Sequence, residues 1–415
     1  MSVSASASPS LFRHRPFVLF WLARLASTMG YQMLALAIGW QVYELTNSAF
    51  DLGLVGLIQF VPAVFLTLLI GHAADRYDRR LIMRVAQAVH ALVAVVITVA
   101  LLAGMLTREL LFGAVFFIAC ARAFELPTAH SLVPALVPAA IMPRAVAAWT
   151  SANQVAVICG PALGGFIYAA GATLVSAVCL AFFVASIVLL SLVEAKGQAA
   201  NREPPTFASV MAGFEYIRTR RRLLGVITLD LFVVLLGGVT ALLPIYARDI
   251  LAVGPSGLGL LRSAPAVGAL LTTIVLSRHP VERHIGRKMF AVVAIYGLAT
   301  IVFALSPSFP ASLLALAMLG ASDAVSVVIR FSLVQIETPD AMRGRVSAIN
   351  YLFVGSSNTL GEFRAGVNAA SFGAVGSALI GGFGSLLIAG IWMLLFPDLG
   401  RIDRYEPADN SKARS

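Results

Sequence analysis

Nine ionisable side chains interrupt long apolar runs: Arg24, Arg122, Glu125, Asp230, Arg262, Asp323, Arg330, Glu362 and Arg364. A charge at bilayer depth costs at least ~2.5–3.5 kcal/mol on insertion scales, so such residues face an aqueous path or a partner. The acids among them could carry protons, provided each is protonated in one state and ionised in another. Asp230 has no basic neighbour on its own segment for two turns towards the membrane centre, so it leads as proton carrier, followed by Asp323 and Glu125. Glu125 has Arg122 three residues before it, on the same helix face, to hold it ionised. Arg24, Arg122, Arg330 and Glu362 are the remaining candidate cavity charges.

The elements that must position these groups follow from composition. Of 415 residues, 59% are hydrophobic and 12% charged, against roughly 45–50% and 25% in soluble domains. This is membrane composition. A bilayer-spanning helix needs ~20 mainly apolar residues. Twelve segments qualify, at 17–44, 51–73, 81–105, 109–130, 145–169, 172–194, 223–248, 256–277, 287–305, 310–334, 346–368 and 372–396. The polar interval 195–222 separates six from six, with an amphipathic surface helix expected over 206–220, and 399–415 forms a tail. The domains expected are therefore 1–194, the linker 195–222, 223–398 and the tail.

Placing both termini on one side puts twenty-three of the thirty lysines and arginines there and two on the other. Such asymmetry marks the cytoplasmic face. It explains the net charge of +10 without nucleic acid, for which no basic face with interleaved aromatics is present. No cleavable leader is read in the N-terminus, and the first helix is expected to stay in the bilayer. Cys120, Cys159 and Cys179 lie in apolar runs without metal-ligand spacing, and are expected to be buried thiols. No metal or cofactor is expected. Patterns such as the P-loop, G-x-S-x-G and H-E-x-x-H are absent, so the sequence does not read as an enzyme.

The two halves repeat. "SLVPALVPAAIMPRAVAA" (131–148) aligns without gaps on "SLVQIETPDAMRGRVSAI" (332–349), and "PAV" at 62–64 recurs at 265–267. Two six-helix halves in parallel repeat are a transporter arrangement. The 201-residue offset makes Arg122 and Asp323 equivalent. They could face each other across a central cavity, or Arg122 could pair with Glu125 in its own half.

Three stretches carry a family resemblance. "GHAADRYDRR" (71–80) resembles the loop motif G-x-x-x-D-R-x-G-R-(R/K) of the major facilitator superfamily, with Asp78 in place of the usual glycine. "CGPALGG" (159–165) resembles a helix-5 motif of its antiporters, through Gly160, Pro161, Gly164 and Gly165. "RAFELPTAHSLVPALVP" (122–138) resembles exporters of the enterobactin and macrolide type. The resemblance implies an all-α fold of twelve transmembrane helices in two pseudo-symmetric halves. In that fold helices 1, 4, 7 and 10 line the cavity, and six of the nine charges lie on them. It implies a cytoplasmic gate in which Gly71, Asp75, Arg76, Arg79 and Arg80 latch onto the start of helix 11 near Arg345. A plain orientation signal would account for the arginines alone. The helix-5 motif would seal the interface between the halves, or serve ordinary glycine packing.

Among uncharged residues, Tyr31, Gln32, Asn153, Gln154, Asn350 and Asn358 are candidates to line the cavity, as are Gln41, Tyr43 and Tyr351. The function expected is a monomeric, proton-coupled exporter of an amphiphilic small molecule, such as a siderophore or drug, in a bacterial inner membrane. Its partners are substrate, protons and the bilayer. The alternatives are an uptake symporter for a metabolite and a non-transporting receptor or scaffold.

Overall fold

The computed structural model describes residues 11–66, 77–194 and 207–405. Among these there are helices and no strands. The first half comprises α1 (Arg15–Thr46), α2 (Ala49–Phe65), α3 (Arg79–Leu102), α4 (Arg108–Leu136), α5 (Met142–Ala170) and α6 (Ala172–Ser191). After α7 (Phe207–Thr219) the second half comprises α8 (Arg221–Gly237), α9 (Gly254–Arg278), α10 (Ile285–Leu305), α11 (Phe309–Glu337) and α12 (Asp340–Leu395).

Nine stretches among the described residues are long and apolar enough to cross a bilayer. One of them is broken at Gly373 (φ 73°), where the chain turns back; Ser377 Oγ donates to the Ala365 carbonyl at 2.8 Å, twelve residues away. Two expected segments, 346–368 and 372–396, are therefore the arms of α12. With α1 and the shorter α2, the described helices are consistent with the twelve crossings expected.

The expected continuous helix over 223–248 is broken. After α8 the backbone turns left-handed at Gly238 (φ 31°), then runs through a 3-10 turn (Val239–Leu242) and a π turn (Tyr246–Ile250). The carbonyls freed at the break do not go unmet. Arg364 on α12 donates Nε to the Leu235 carbonyl at 2.9 Å and Nη2 to that of Leu236. A cation at a helix C-terminus also meets the negative end of its dipole. One intramembrane charge is thereby structural.

Apolar packing divides the bundle along its length. One core joins the halves at the end bearing the 47–48, 103–107 and 251–253 turns, and includes Met33, Trp40, Leu242 and Tyr246. At the other end, which bears the described chain ends, each half has a separate core. Phe17, Met83 and Leu132 belong to one, and Val226, Met289 and Leu333 to the other. Among the described residues, the halves thus share one apolar core at the distal end and keep separate cores at the terminal end. The surface helix is present as α7, and among the described residues it docks on the second half: Tyr216 Oη donates to the Glu337 carbonyl at 3.2 Å, and Gly213 packs on Arg345 and Ile349.

Candidate functional site

Between the halves lies a cavity of about 680 Å³. Its two walls differ in chemistry. The first half contributes amides, Gln32, Gln59 and Gln154, while the second contributes the charges Asp230, Arg262, Asp323, Arg330 and Glu362. A smaller chamber of about 150 Å³ adjoins it and shares Gln59, Thr240, Arg262 and Glu362.

The charged wall is built around Arg330 on α11. Its guanidinium pairs with Asp230 of α8 and stands 3.8 Å from an oxygen of Asp323, two turns earlier on its own helix. The Arg330 Nε also donates to Ser326 Oγ at 3.1 Å. The Asp230 side chain is 6% exposed and that of Asp323 48%. Asp230 therefore has the basic partner that its own helix lacks, supplied by α11, and of the two acids beside Arg330 it is Asp323 that is open to the cavity.

The corresponding charges of the first half do not line the cavity. Glu125 pairs with Arg24 of α1, and its Oε1 also accepts from Ser27 Oγ (2.8 Å) and Gln87 Nε2 (2.9 Å). Arg24 and Glu125 are 4% and 1% exposed, enclosed by α1, α3 and α4. His90 lies alongside, its Nδ1 4.0 Å from the second Glu125 oxygen and its ring against Phe183. Neither arrangement expected for Arg122 is found. It lies 3.6 Å from the centroid of the Tyr31 ring, a cation–π contact with α1, while Glu125 turns to Arg24. The two ion pairs are charge-reversed counterparts: the first half puts the cation on its first helix and the anion on its fourth, and the second half does the opposite.

Contacts between the halves run from the distal end to the cavity wall. Tyr43 donates its hydroxyl to Asp249, and Arg248 donates to the Tyr43 carbonyl at 3.3 Å. Arg262 donates to the Ala35 carbonyl at 3.3 Å, Ser263 to that of Ile158 at 2.6 Å, and Gln154 to that of Ala266 at 3.0 Å. The helix-5 motif contributes on both sides. Gly160 and Gly164 lie against Gln32 and Met33 of α1, inside one half, with Pro161 on the cavity wall. Gly165 instead meets α9, where a Cβ would stand 3.1 Å from the Gly259 nitrogen and closer still to the Pro255 carbonyl. Only a glycine lets these backbones approach so closely.

Other expectations fall into place unevenly. Tyr31 lines the small chamber and Gln32, Gln154 and Asn358 the cavity, while Asn153 is exposed and Asn350 half-buried on α12. Tyr351 is 70% exposed, and Gln41 is buried. Gly71, Asp75 and Arg76 lie outside the described residues. Of the rest of that motif, Arg79 donates to the Ser131 carbonyl at 3.0 Å and Arg80 to that of Val193 at 3.1 Å, both within the first half. Asp78, the departure from the motif, caps α3 by accepting from the Arg80 backbone N–H at 2.9 Å. Arg345 meets α7. Gln59 and Thr240 were not singled out in the sequence, since a lone amide or hydroxyl in an apolar helix carries no signal of direction.

Comparison with known proteins agrees with this architecture. The profile of the family described as "Transmembrane secretion effector" matches residues 5–412. The enterobactin exporter EntS of Salmonella typhi is 26% identical over 343 residues, 81% of each chain, and that of Salmonella choleraesuis strain SC-B67 is 24% identical over the same share. Among solved structures, a bacterial homologue of the iron transporter ferroportin in an inward-facing state superposes with a TM-score of 0.73 at 17% identity, covering 95% of this chain and all of the other. A bacterial homologue of the human lysosomal transporter Spinster, also inward-facing, gives 0.73 at 13%, covering 95% and 98%. A multi-pass helical bundle, a cavity between two half-bundles and a family match along nearly the whole sequence converge: the chain belongs to the transmembrane secretion effector family of the major facilitator superfamily, and it is a membrane transporter, not an enzyme.

Proposed function

We propose that the protein is a proton-coupled exporter of an amphiphilic small molecule, of which a siderophore is the leading class, working by alternating access. One observation carries the reading: the cavity between the halves is walled by a buried acid–base pair, Asp230–Arg330, beside a second acid, Asp323, that is open to it. The similarity to enterobactin exporters favours export and a siderophore.

In this reading the terminal end is cytoplasmic, as the lysine and arginine asymmetry favours, and the membrane is a bacterial inner membrane. The chain works as a monomer, and the distal seal makes this the inward-open state. Asp323 takes precedence over Asp230 as proton carrier because it is exposed while Asp230 is committed to Arg330. When Asp323 is ionised, Arg330 is shared between two carboxylates. When it is protonated, Arg330 belongs to Asp230 alone. Loading and unloading of a proton thereby redistributes one cation between two helices, α8 and α11, that shape the cavity wall. A charge that crosses the membrane potential gains ~2.3 kcal/mol per 100 mV, enough to drive useful expulsion. The Arg24–Glu125 pair serves as a strut within the first half, so Glu125 ranks last among the carriers.

Everted vesicles with an imposed proton gradient test the proposal. A siderophore panel should include a compound whose addition dissipates the gradient, and Asp323→Asn should abolish that dissipation. Gradient-independent movement of every panel member would refute proton coupling.

A further inference from the structure

The small chamber beside the cavity has a size and lining of its own. Its apolar wall is formed by Ile38 of α1, Leu52 and Val55 of α2, and Val115 and Ile118 of α4. Four of these are nearly inaccessible, with exposures of 3% (Ile38), 4% (Leu52), 4% (Val115) and 7% (Ile118). Its junction with the main cavity is polar. Glu362 there accepts from Thr240 Oγ1 at 3.3 Å, Arg262 is held to the Ala35 carbonyl, and Gln59 supplies an amide. Tyr31 completes the lining, one ring face carrying the Arg122 guanidinium.

The volume, about 150 Å³, selects what can enter. An engineered apolar cavity of roughly that volume in another protein holds one benzene molecule. A chamber of this size takes one six-membered ring. The apolar wall favours a planar aromatic ring over a hydroxylated sugar ring, whose hydroxyls would lose water without partners there. The polar junction offers a carboxylate, a guanidinium and an amide to whatever substituent remains at the mouth, which suits hydroxyl or amide groups able to both donate and accept.

We infer that this chamber is a specificity subsite that receives a single aryl ring of the transported molecule, with the ring's hydroxyl or amide substituent held at the neck by Gln59, Arg262 and Glu362. Ile118 and Leu52, on the neighbouring helices α4 and α2, set its size. The inference rests on the reading of the large cavity as the substrate path, but its test needs no transport.

The test is ligand-observed saturation-transfer NMR on the full chain in lipid nanodiscs, without a proton gradient, using 4-hydroxybenzamide as the probe. The wild type should transfer saturation to the ring protons. Ile118→Trp and Leu52→Trp fill the chamber from two sides, and each should weaken binding about ten-fold or more, the loss expected when a buried ring is displaced. Leu92→Trp adds the same bulk on an exposed face of α3 and should leave binding unchanged. If Ile118→Trp fails to fold, Leu52→Trp decides. No binding to the wild type, or undiminished binding to a folded chamber-filling variant, overturns the inference. Binding lost in these variants supports the subsite even where vesicle assays find no proton-coupled export, so the two readings fail separately.

Discussion

Asp323 and Arg330 stand on one helix, 3.8 Å apart at their closest atoms, and the acid is the more open of the two to the cavity, 48% exposed against 11%. The arginine is already committed to Asp230 on the neighbouring helix. An acid that neighbours an arginine without owning it can give up or accept a proton at little structural cost. Asp323→Asn should therefore retain the fold and counterflow exchange of substrate while losing acceleration by a pH gradient. Exchange and gradient-driven efflux, measured on the same vesicles, separate the two. Wild-type acceleration in the variant would remove Asp323 from the coupling path.

The Arg24–Glu125 pair makes the opposite prediction. It is buried among α1, α3 and α4, so Glu125→Gln leaves an arginine without a counter-charge. Breaking a buried pair from one side costs about 3–5 kcal/mol. A marked fall in thermal stability in detergent is expected, far larger than for Asp323→Asn. Replacing both members with apolar residues, as in Arg24→Met with Glu125→Leu, should recover most of the loss.

Tyr43 and Asp249 join α1 to the π turn at the distal seal. Tyr43→Phe removes a hydrogen bond to a charged group, worth ~1.5–3 kcal/mol. The population should shift about ten-fold or more towards states open at the distal end. Spin-label distances between the turns at 47–48 and 251–253 measure this directly. An unchanged distribution would mean that the apolar core shared by the halves holds the seal alone.

Asp78 gives a prediction about pH. Its hydrogen bond with the Arg80 side chain, the largest cause, holds the carboxyl below the usual aspartate range. The resulting stabilisation is complete above the unfolded value of ~3.9 and is lost as pH falls through the lower folded value. Asp78→Ala should cost ~0.5–2 kcal/mol at neutral pH, as for other N-caps, and Asp78→Gly only a few tenths. The difference between wild type and Asp78→Ala should shrink below about pH 3. A constant difference across that range would mean that the cap does not act through its charge.

The sequence carried the all-helical, multi-pass architecture and the chemical type of the charged residues, because apolar length and the penalty on buried charge are both local properties. Which charges meet was not legible. Asp230 lacks a basic neighbour along its own helix, and its partner comes from α11. Arg122 and Glu125 share a helix face by spacing yet turn to different residues of α1, because a long arginine can reach an aromatic ring on the adjacent helix. The break after α8 was hidden as well. Gly237 and Gly238 stand in an otherwise apolar run, and the residue that makes the break tolerable, Arg364, is more than 120 positions away. The departure of Asp78 from the loop motif became intelligible only when its carboxylate was seen to cap α3.

The attachment of α7 to the second half bears on where the polypeptide can be divided. Tyr216 bonds to the Glu337 carbonyl and Gly213 lies on Arg345, so this helix is cargo of the second half. A cut made ahead of Phe207 therefore keeps this helix with the half it packs on, and a cut at Arg222 does not. Each piece then owns an ion pair and a core at its terminal end, and the two share an apolar contact at the distal end. The transporter is thus organised as a heterodimer whose subunits are joined by a peptide. Genes cut ahead of Phe207 should yield two polypeptides that reassemble when expressed together, whereas a cut after Thr219 would strand a helix on the wrong subunit.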